Sequence, residues 1–162
     1  MPKVVCPEIV IDTREQLPYT FPSPCSVQRR VLSTGDYSLC GLEELVFVER
    51  KSLDDLAATL GNPQRRKRFY NELARAQAAR HKVILVEGST RDILEHRYTG
   101  GINPVSLYTL VLALQIHDPW LSVHFAGDRQ QAIAFLYHYF SLIWKDYHAS
   151  ANKARRRSSR NS

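Results

Sequence analysis

GDYSLCGLEELVFVERKSLDD, residues 35–55, sets two β-prone runs about a turn and ends on a helix start. Leu45 to Val48 is apolar and β-prone, Asp36 to Leu39 is a shorter extended segment, and Cys40-Gly41-Leu42-Glu43-Glu44 supplies turn-like residues between them. A hairpin centred on Leu42 and Glu43 sets Asp36 opposite Glu49 on one side of a sheet. Side chains alternate along a strand, so Lys51 shares the face of Glu49 while Arg50 points away. Ser52 followed by Asp55 has the form of a capping box opening a helix over Leu53 to Leu60. Asp55 thus has a capping role or a catalytic one open to it, and Asp54 beside it is expected to be solvated.

Such a patch calls for a cation. Two carboxylates about 4 Å apart repel by roughly 4 kcal/mol at an effective dielectric near 20. One lysine at the edge offsets this only in part. A raised pKa or a hard divalent ion relieves the rest. Mg²⁺ takes one or two carboxylates and leaves room in its shell for water and phosphate oxygens. Lys51 then positions an attacking water or stabilises the charge of a pentavalent transition state. The chemistry suggested is metal-assisted phosphodiester hydrolysis. Gly-Asp-Tyr alone is often a turn, and Glu-Arg-Lys alone a solvated strand end. Their joint occurrence in hairpin register, ahead of a helix start, favours a site.

These residues resemble the XPF-type structure-specific endonucleases, whose signature is GDX(n)ERKX(3)D. It matches here as Gly35-Asp36, then Glu49-Arg50-Lys51, then Asp55. Upstream, Asp12-Thr13-Arg14-Glu15 follows the apolar run Ile9-Val10-Ile11 and is similar to the family's D-x-R-E stretch. Downstream, Val83 to Glu87 resembles its next buried strand and closing glutamate, and Asn103 to Phe140 its helix–strand–helix unit. The resemblance spans roughly residues 8 to 147. It implies an α/β, restriction-endonuclease-like three-layer sandwich, with a central mixed β-sheet flanked by helices. It also implies metal-dependent cleavage of DNA at branches, flaps or forks, with Mg²⁺ or Mn²⁺. Asp36 and Glu49 would be the ligands, with the main-chain carbonyl of Arg50. Lys51 would be the catalytic lysine, Asp12 and Glu15 accessory acids, and Arg50 and Asp55 supports of the site. Many family members append a tandem helix-hairpin-helix module, for which this chain has no room after residue 147. Two other readings stand beside this one: a restriction-like or RNA-directed nuclease with the same metal site, and a catalytically silent DNA-binding subunit. Such subunits typically lose an acid or the lysine, and Asp36, Glu49 and Lys51 are all present.

At 162 residues and 44% apolar, one compact domain is expected over residues 1–148. No signal peptide or membrane span is visible, and the three cysteines, Cys6, Cys25 and Cys40, lack metal or redox spacing. A reducing, cytoplasmic setting fits these features. The six histidines lie singly, without zinc spacing.

The net charge of +6 is localised. Lys153, Arg155, Arg156, Arg157 and Arg160 stand in residues 149–162 without an acid, leaving 17 basic against 16 acidic residues in the body. This end reads as a disordered basic tail, either solubilising or lying on nucleic-acid phosphates. A second basic run, Arg65-Arg66-Lys67-Arg68, opens a helical stretch to about Arg80. It is either a solvated helix face or a phosphate contact beside the active site. Arg68 also resembles an arginine that the family carries at this point. Lys82 to Glu87 and Trp120 to Phe125 read as strands. Ser89 or Thr90 caps a short helix, Asn103 to His117 is helical, and Asp128 caps a last helix to about His148. Gly100-Gly101 is a loop or a hinge. Phe135, Leu136, Tyr139, Phe140, Ile143, Trp144 and Tyr147 give the last helix more aromatic surface than one sheet face needs. The family's nuclease domains pair through this region, so a homodimer is expected.

Overall fold

The computed structural model describes residues 6–159. Six strands form one mixed sheet in the order β2-β1-β3-β4-β5-β6. They are β1 (Glu8–Asp12), β2 (Ser26–Arg30), β3 (Tyr37–Leu39), β4 (Val46–Ser52), β5 (His81–Glu87) and β6 (Leu121–Phe125). β3 is antiparallel to both β1 and β4, whereas β4, β5 and β6 run parallel, as do β1 and β2. The helices are α1 (Leu53–Gly61), α2 (Pro63–Arg75), α3 (Thr90–Leu94), α4 (Pro104–His117) and α5 (Arg129–Ser158).

Strand alternation divides the core in two. Phe47, Ile84 and Val86 face Leu56 and Leu60 of α1, Phe69 and Leu73 of α2 and Leu107 and Val111 of α4. Tyr37, Val48, Val83 and Leu85 face Leu136, Phe140 and Ile143 of α5. The result is a three-layer α/β/α sandwich. β4 is buried on both faces over Val46, Phe47 and Val48, and β5 from Lys82 to Val86, which is why both read as short continuous apolar runs. Tyr37 pairs with Val48, the register of a turn centred on residues 42 and 43.

Several sequence expectations are corrected. β2 went unread because all five of its residues are exposed. It is an edge strand whose Arg29 and Arg30 belong to the charges that keep such edges from pairing with another chain. α2 begins earlier than the basic run, with Asn62 as its cap and Pro63 in its first turn, and stops at Arg75 rather than Arg80. The backbone must turn there, because the N–H groups of Arg80 and His81 both donate to the Leu45 carbonyl at 3.0 Å on entering β5. Asp54 is not merely solvated: its Oδ1 accepts from the Thr99 N–H at 2.7 Å and ties the 98–101 loop to α1.

The segment read as a disordered tail is helical from residue 149 to Ser158, while residues 160–162, with Arg160, lie outside the described residues. Extending a formed helix needs no new nucleus, and Ala, Lys and Arg are strong helix formers. Basic residues also suit the negative end of the helix dipole. α5 therefore runs on beyond its last core contacts.

Candidate active site

Gly35 starts the site because nothing larger fits there. Its φ is +76°, and an added Cβ would lie 3.0 Å from both the Phe47 ring and the Val48 carbonyl. The tight turn passes the chain to Asp36, whose N–H donates to the Val48 carbonyl and whose own carbonyl accepts from the Asp12 N–H, each at 2.8 Å. Asp36 is thus fixed between β1 and β4. Its carboxylate Oδ2 accepts from the Arg50 N–H at 2.8 Å.

Glu49 and Lys51 leave the end of β4 on the α2 side of the sheet. Lys51 Nζ lies 3.0 Å from Glu49 Oε1 and 4.7 Å from the centre of the Phe69 ring. Both side chains are only 12% exposed, so this charge pair is weakly screened. One ammonium does not balance the acids here. Burial, and next the charge of Glu49, push the Asp36 carboxyl up to about 7. Glu49 is also raised, first by burial and then by the charge of Glu72, against the attraction of Lys51.

Arg50 points to the opposite face, as alternation requires. Its guanidinium forms a fork on Glu15 at 2.9 and 3.1 Å and reaches Glu87 at 3.4 Å. Glu87 also accepts from the Tyr19 hydroxyl at 2.7 Å and meets Arg129, the first residue of α5, at 3.4 Å. Burial alone would raise Glu15, but the Arg50 hydrogen bonds outweigh it and hold the carboxyl below its ordinary range. Asp12 behaves alike: against burial, Arg14 and the Leu32 N–H keep it low. Both acids are committed to partners that fix the strand ends around Asp36. Asp55 sits exposed on the first turn of α1, where Ser52 caps its N–H at 3.1 Å.

The basic run divides. Arg65 and Arg68 line a cavity of about 400 Å³ together with Lys51, Phe69 and Glu72. Arg66 instead donates to the Leu60 carbonyl at 2.9 Å, covering the end of α1, and Lys67 is exposed outside that lining. Lys153 lies exposed on the α5 extension. α5 starts beside Glu87 at one end of β5 and passes His81 at the other, where Tyr147 lies 6.4 Å away. The helical run through Arg155, Arg156 and Arg157 therefore leaves from the end of the sheet opposite Glu49 and Lys51.

Glu72, Tyr19 and Arg129 escaped the sequence reading. Glu72 accepts from the Gly35 N–H at 3.4 Å and stands in the same cavity as Lys51. A clue was its place on the face of the Arg65–Arg68 helix that carries Phe69. Nothing local marked Tyr19 or Arg129, whose rings and guanidinium meet only through the fold, the latter 4.7 Å over the Tyr19 ring.

This sheet, with acids at the end of its central strands and helices on both faces, has a restriction-endonuclease-like fold. The model of the ERCC4 domain matches residues 11–139, and the chain belongs to that family of XPF-type nucleases. No curated protein matches it.

Proposed function

We propose that this protein is a divalent-metal-dependent endonuclease that hydrolyses DNA phosphodiester bonds at branched, flap or fork structures. The observation that carries the reading is the half-buried group of Asp36, Glu49 and Lys51, in which one ammonium faces more carboxylate charge than it can balance. A hard cation relieves that excess, and oxygen donors are what the site offers. Asp36, Glu49 and the main-chain carbonyl of Arg50 would hold Mg²⁺ or Mn²⁺. A cation bound there supplies positive charge against the charge that develops on the phosphoryl group.

The chain's own groups account for the rest. Lys51 lies in the cavity wall and directs its ammonium toward an entering phosphate or its attacking water. Arg65 and Arg68 line the same cavity and are suited to the flanking backbone phosphates, contacts that position DNA without reading sequence. Arg50 holds no substrate. It locks Glu15 and Glu87 on the far face while its N–H orients Asp36.

We further propose a homodimer through the α5 side of the sheet. Leu142 is 63% exposed on this helix. Phe135 and Tyr139 are only partly covered and stack at 5.4 Å. A monomer by light scattering at micromolar concentration would count against pairing. We also propose a reducing, cytoplasmic setting, on the sequence ground that Cys6, Cys25 and Cys40 lack metal or redox spacing. No helix among the described residues is long and apolar enough to cross a membrane.

The test is cleavage of labelled flap, fork, splayed-arm, Holliday-junction and linear duplex DNA, with Mg²⁺, with Mn²⁺ and with chelator, beside Glu49→Ala. Metal-dependent cutting of branched substrates, absent in the variant, is expected. No cutting of any substrate defeats the enzyme reading and favours a silent DNA-binding subunit. Equal cutting of all of them, linear duplex included, removes the structure-specific part. Lys51→Ala should abolish cutting and leave DNA binding intact.

A further inference from the structure

Behind α2, away from Lys51, lies a second cavity of about 360 Å³. Tyr70, Leu73 and Ala74 of α2, Leu114 of α4, and Pro119 and Leu121 at the start of β6 form most of its wall. The wall is largely apolar, with Gln77, Lys82, His117 and Asp118 as its polar members. Lys82 is only 3% exposed, and its Nζ lies 2.5 Å from Asp118 Oδ2. Asp118 is further fixed by the Trp120 N–H, which donates to its Oδ1 at 3.1 Å.

A buried ammonium has three N–H donors, and leaving them unused is costly. Among the described residues Asp118 is the one side-chain acceptor that Lys82 has. Its remaining donors therefore stand at a cavity whose other walls are mostly aliphatic and aromatic. Ligand sites commonly measure about 300–1,000 Å³ and combine an apolar lining with a few placed polar groups. Charge narrows the ligand class further. Asp118 already balances Lys82, so a second carboxylate brought to the same ammonium would be repelled by the first. An uncharged carbonyl oxygen accepts the spare N–H without that repulsion.

We propose that this cavity is a binding site for a small, flat, largely apolar molecule that presents one uncharged carbonyl acceptor to Lys82. It is separate from the nuclease site, although α2 walls both. Arg65, Arg68 and Glu72 face the cavity with Lys51, while Tyr70, Leu73 and Ala74 face this one. The binding reading holds whether or not the protein cuts DNA.

The experiment is an amide-resolved NMR titration of the full chain with 2-naphthamide, with 2-naphthoate as the charged comparison. Saturable shifts at Tyr70, Leu73, Leu114 and Leu121 are expected, and 2-naphthoate should bind at least about tenfold more weakly. Ala74→Trp fills the cavity from an exposed helix position and should remove the shifts while the rest of the spectrum stays folded. Lys82→Met should weaken 2-naphthamide at least about tenfold, the effect of losing a charge-assisted hydrogen bond. Absence of saturable shifts at the cavity, or unchanged binding in Ala74→Trp, overturns the site. Equal affinity for amide and carboxylate, or for wild type and folded Lys82→Met, overturns the ligand class.

Discussion

Replacing Asp36 with Asn should make the metal-free protein more stable at pH 8. Asn keeps the oxygen that accepts the Arg50 N–H and removes only the charge. The wild-type carboxyl titrates at about 7 in the fold, against an ordinary value of 3.8, with burial as the largest cause and the Glu49 charge next. At about 1.4 kcal/mol for each tenfold shift, the charged form is disfavoured by roughly 4 kcal/mol at most. Asp36 is only half-buried by its surface, so solvent screening brings the expected gain to about 1–3 kcal/mol.

The sign follows from proton uptake. Between 3.8 and about 7 the folded state binds the Asp36 proton more tightly than the unfolded chain does, so wild-type stability falls as pH rises through that window. The variant should therefore match wild type near pH 3.5, draw ahead with rising pH, and keep a constant lead above about pH 7. Urea denaturation across that range in chelator measures it. Saturating Mg²⁺ should then favour wild type, by about 2.7 kcal/mol at a hundred times its dissociation constant, and leave the variant unmoved. A variant no more stable than wild type at pH 8 in chelator would show that the carboxylates are not under mutual strain. The metal argument would lose its basis.

Other outcomes follow from the surrounding residues. Arg50→Ala strands Glu15, which is 4% exposed, and should cost about 3–5 kcal/mol near neutral pH. Because the folded Glu15 carboxyl is held low, that deficit should be full above its ordinary value of 4.5 and fade as pH falls through the folded value, a trend denaturation at several pH values would detect. Gly35→Ala meets both a left-handed φ and the Phe47–Val48 wall, and should lower stability by at least about 2 kcal/mol in the same assay. Arg65→Ala and Arg68→Ala should each weaken DNA binding and flatten the salt dependence by about 0.9 in log–log slope, whereas Lys67→Ala should change neither. Fluorescence anisotropy at several salt concentrations separates these cases. Truncation after His148 should remove about ten residues of helical circular dichroism signal, while a truly disordered tail would leave it unchanged.

Much of this arrangement was legible in residues 35–55 because strand and turn signals there are local. The hairpin register needed only the midpoint between two acids, and the placement of Lys51 needed only alternation. Most helix starts were legible for the same reason, since Ser52, Ser89, Asn103 and Asp128 each cap a helix through a neighbouring N–H, but the Asn62 cap of α2 was missed. β2 was not legible, since an edge strand made of exposed polar residues has no apolar pattern. The extent of α5 was also missed, because composition suggests disorder where a formed helix simply continues. The four-residue basic run could not be apportioned by sequence either. Only the direction in which α2 lies on the sheet puts Arg65 and Arg68 beside Lys51 and turns Arg66 to the end of α1.

Local spacing alone, then, sets the register that puts Tyr37 opposite Val48 and Asp36 near Glu49, the side on which Lys51 stands, and the family motif that contains them. These rest on distances of a few residues, which backbone geometry fixes without tertiary help. Only the tertiary structure decided how the charges are used. It commits Asp12 to Arg14 and Glu15 to Arg50, brings Glu72 from α2 to the Gly35 turn, and joins Tyr19, Glu87 and Arg129 into one network. The physical reason is burial. A carboxylate's role depends on which donors share its desolvated space, and those donors come from elements far apart in the chain.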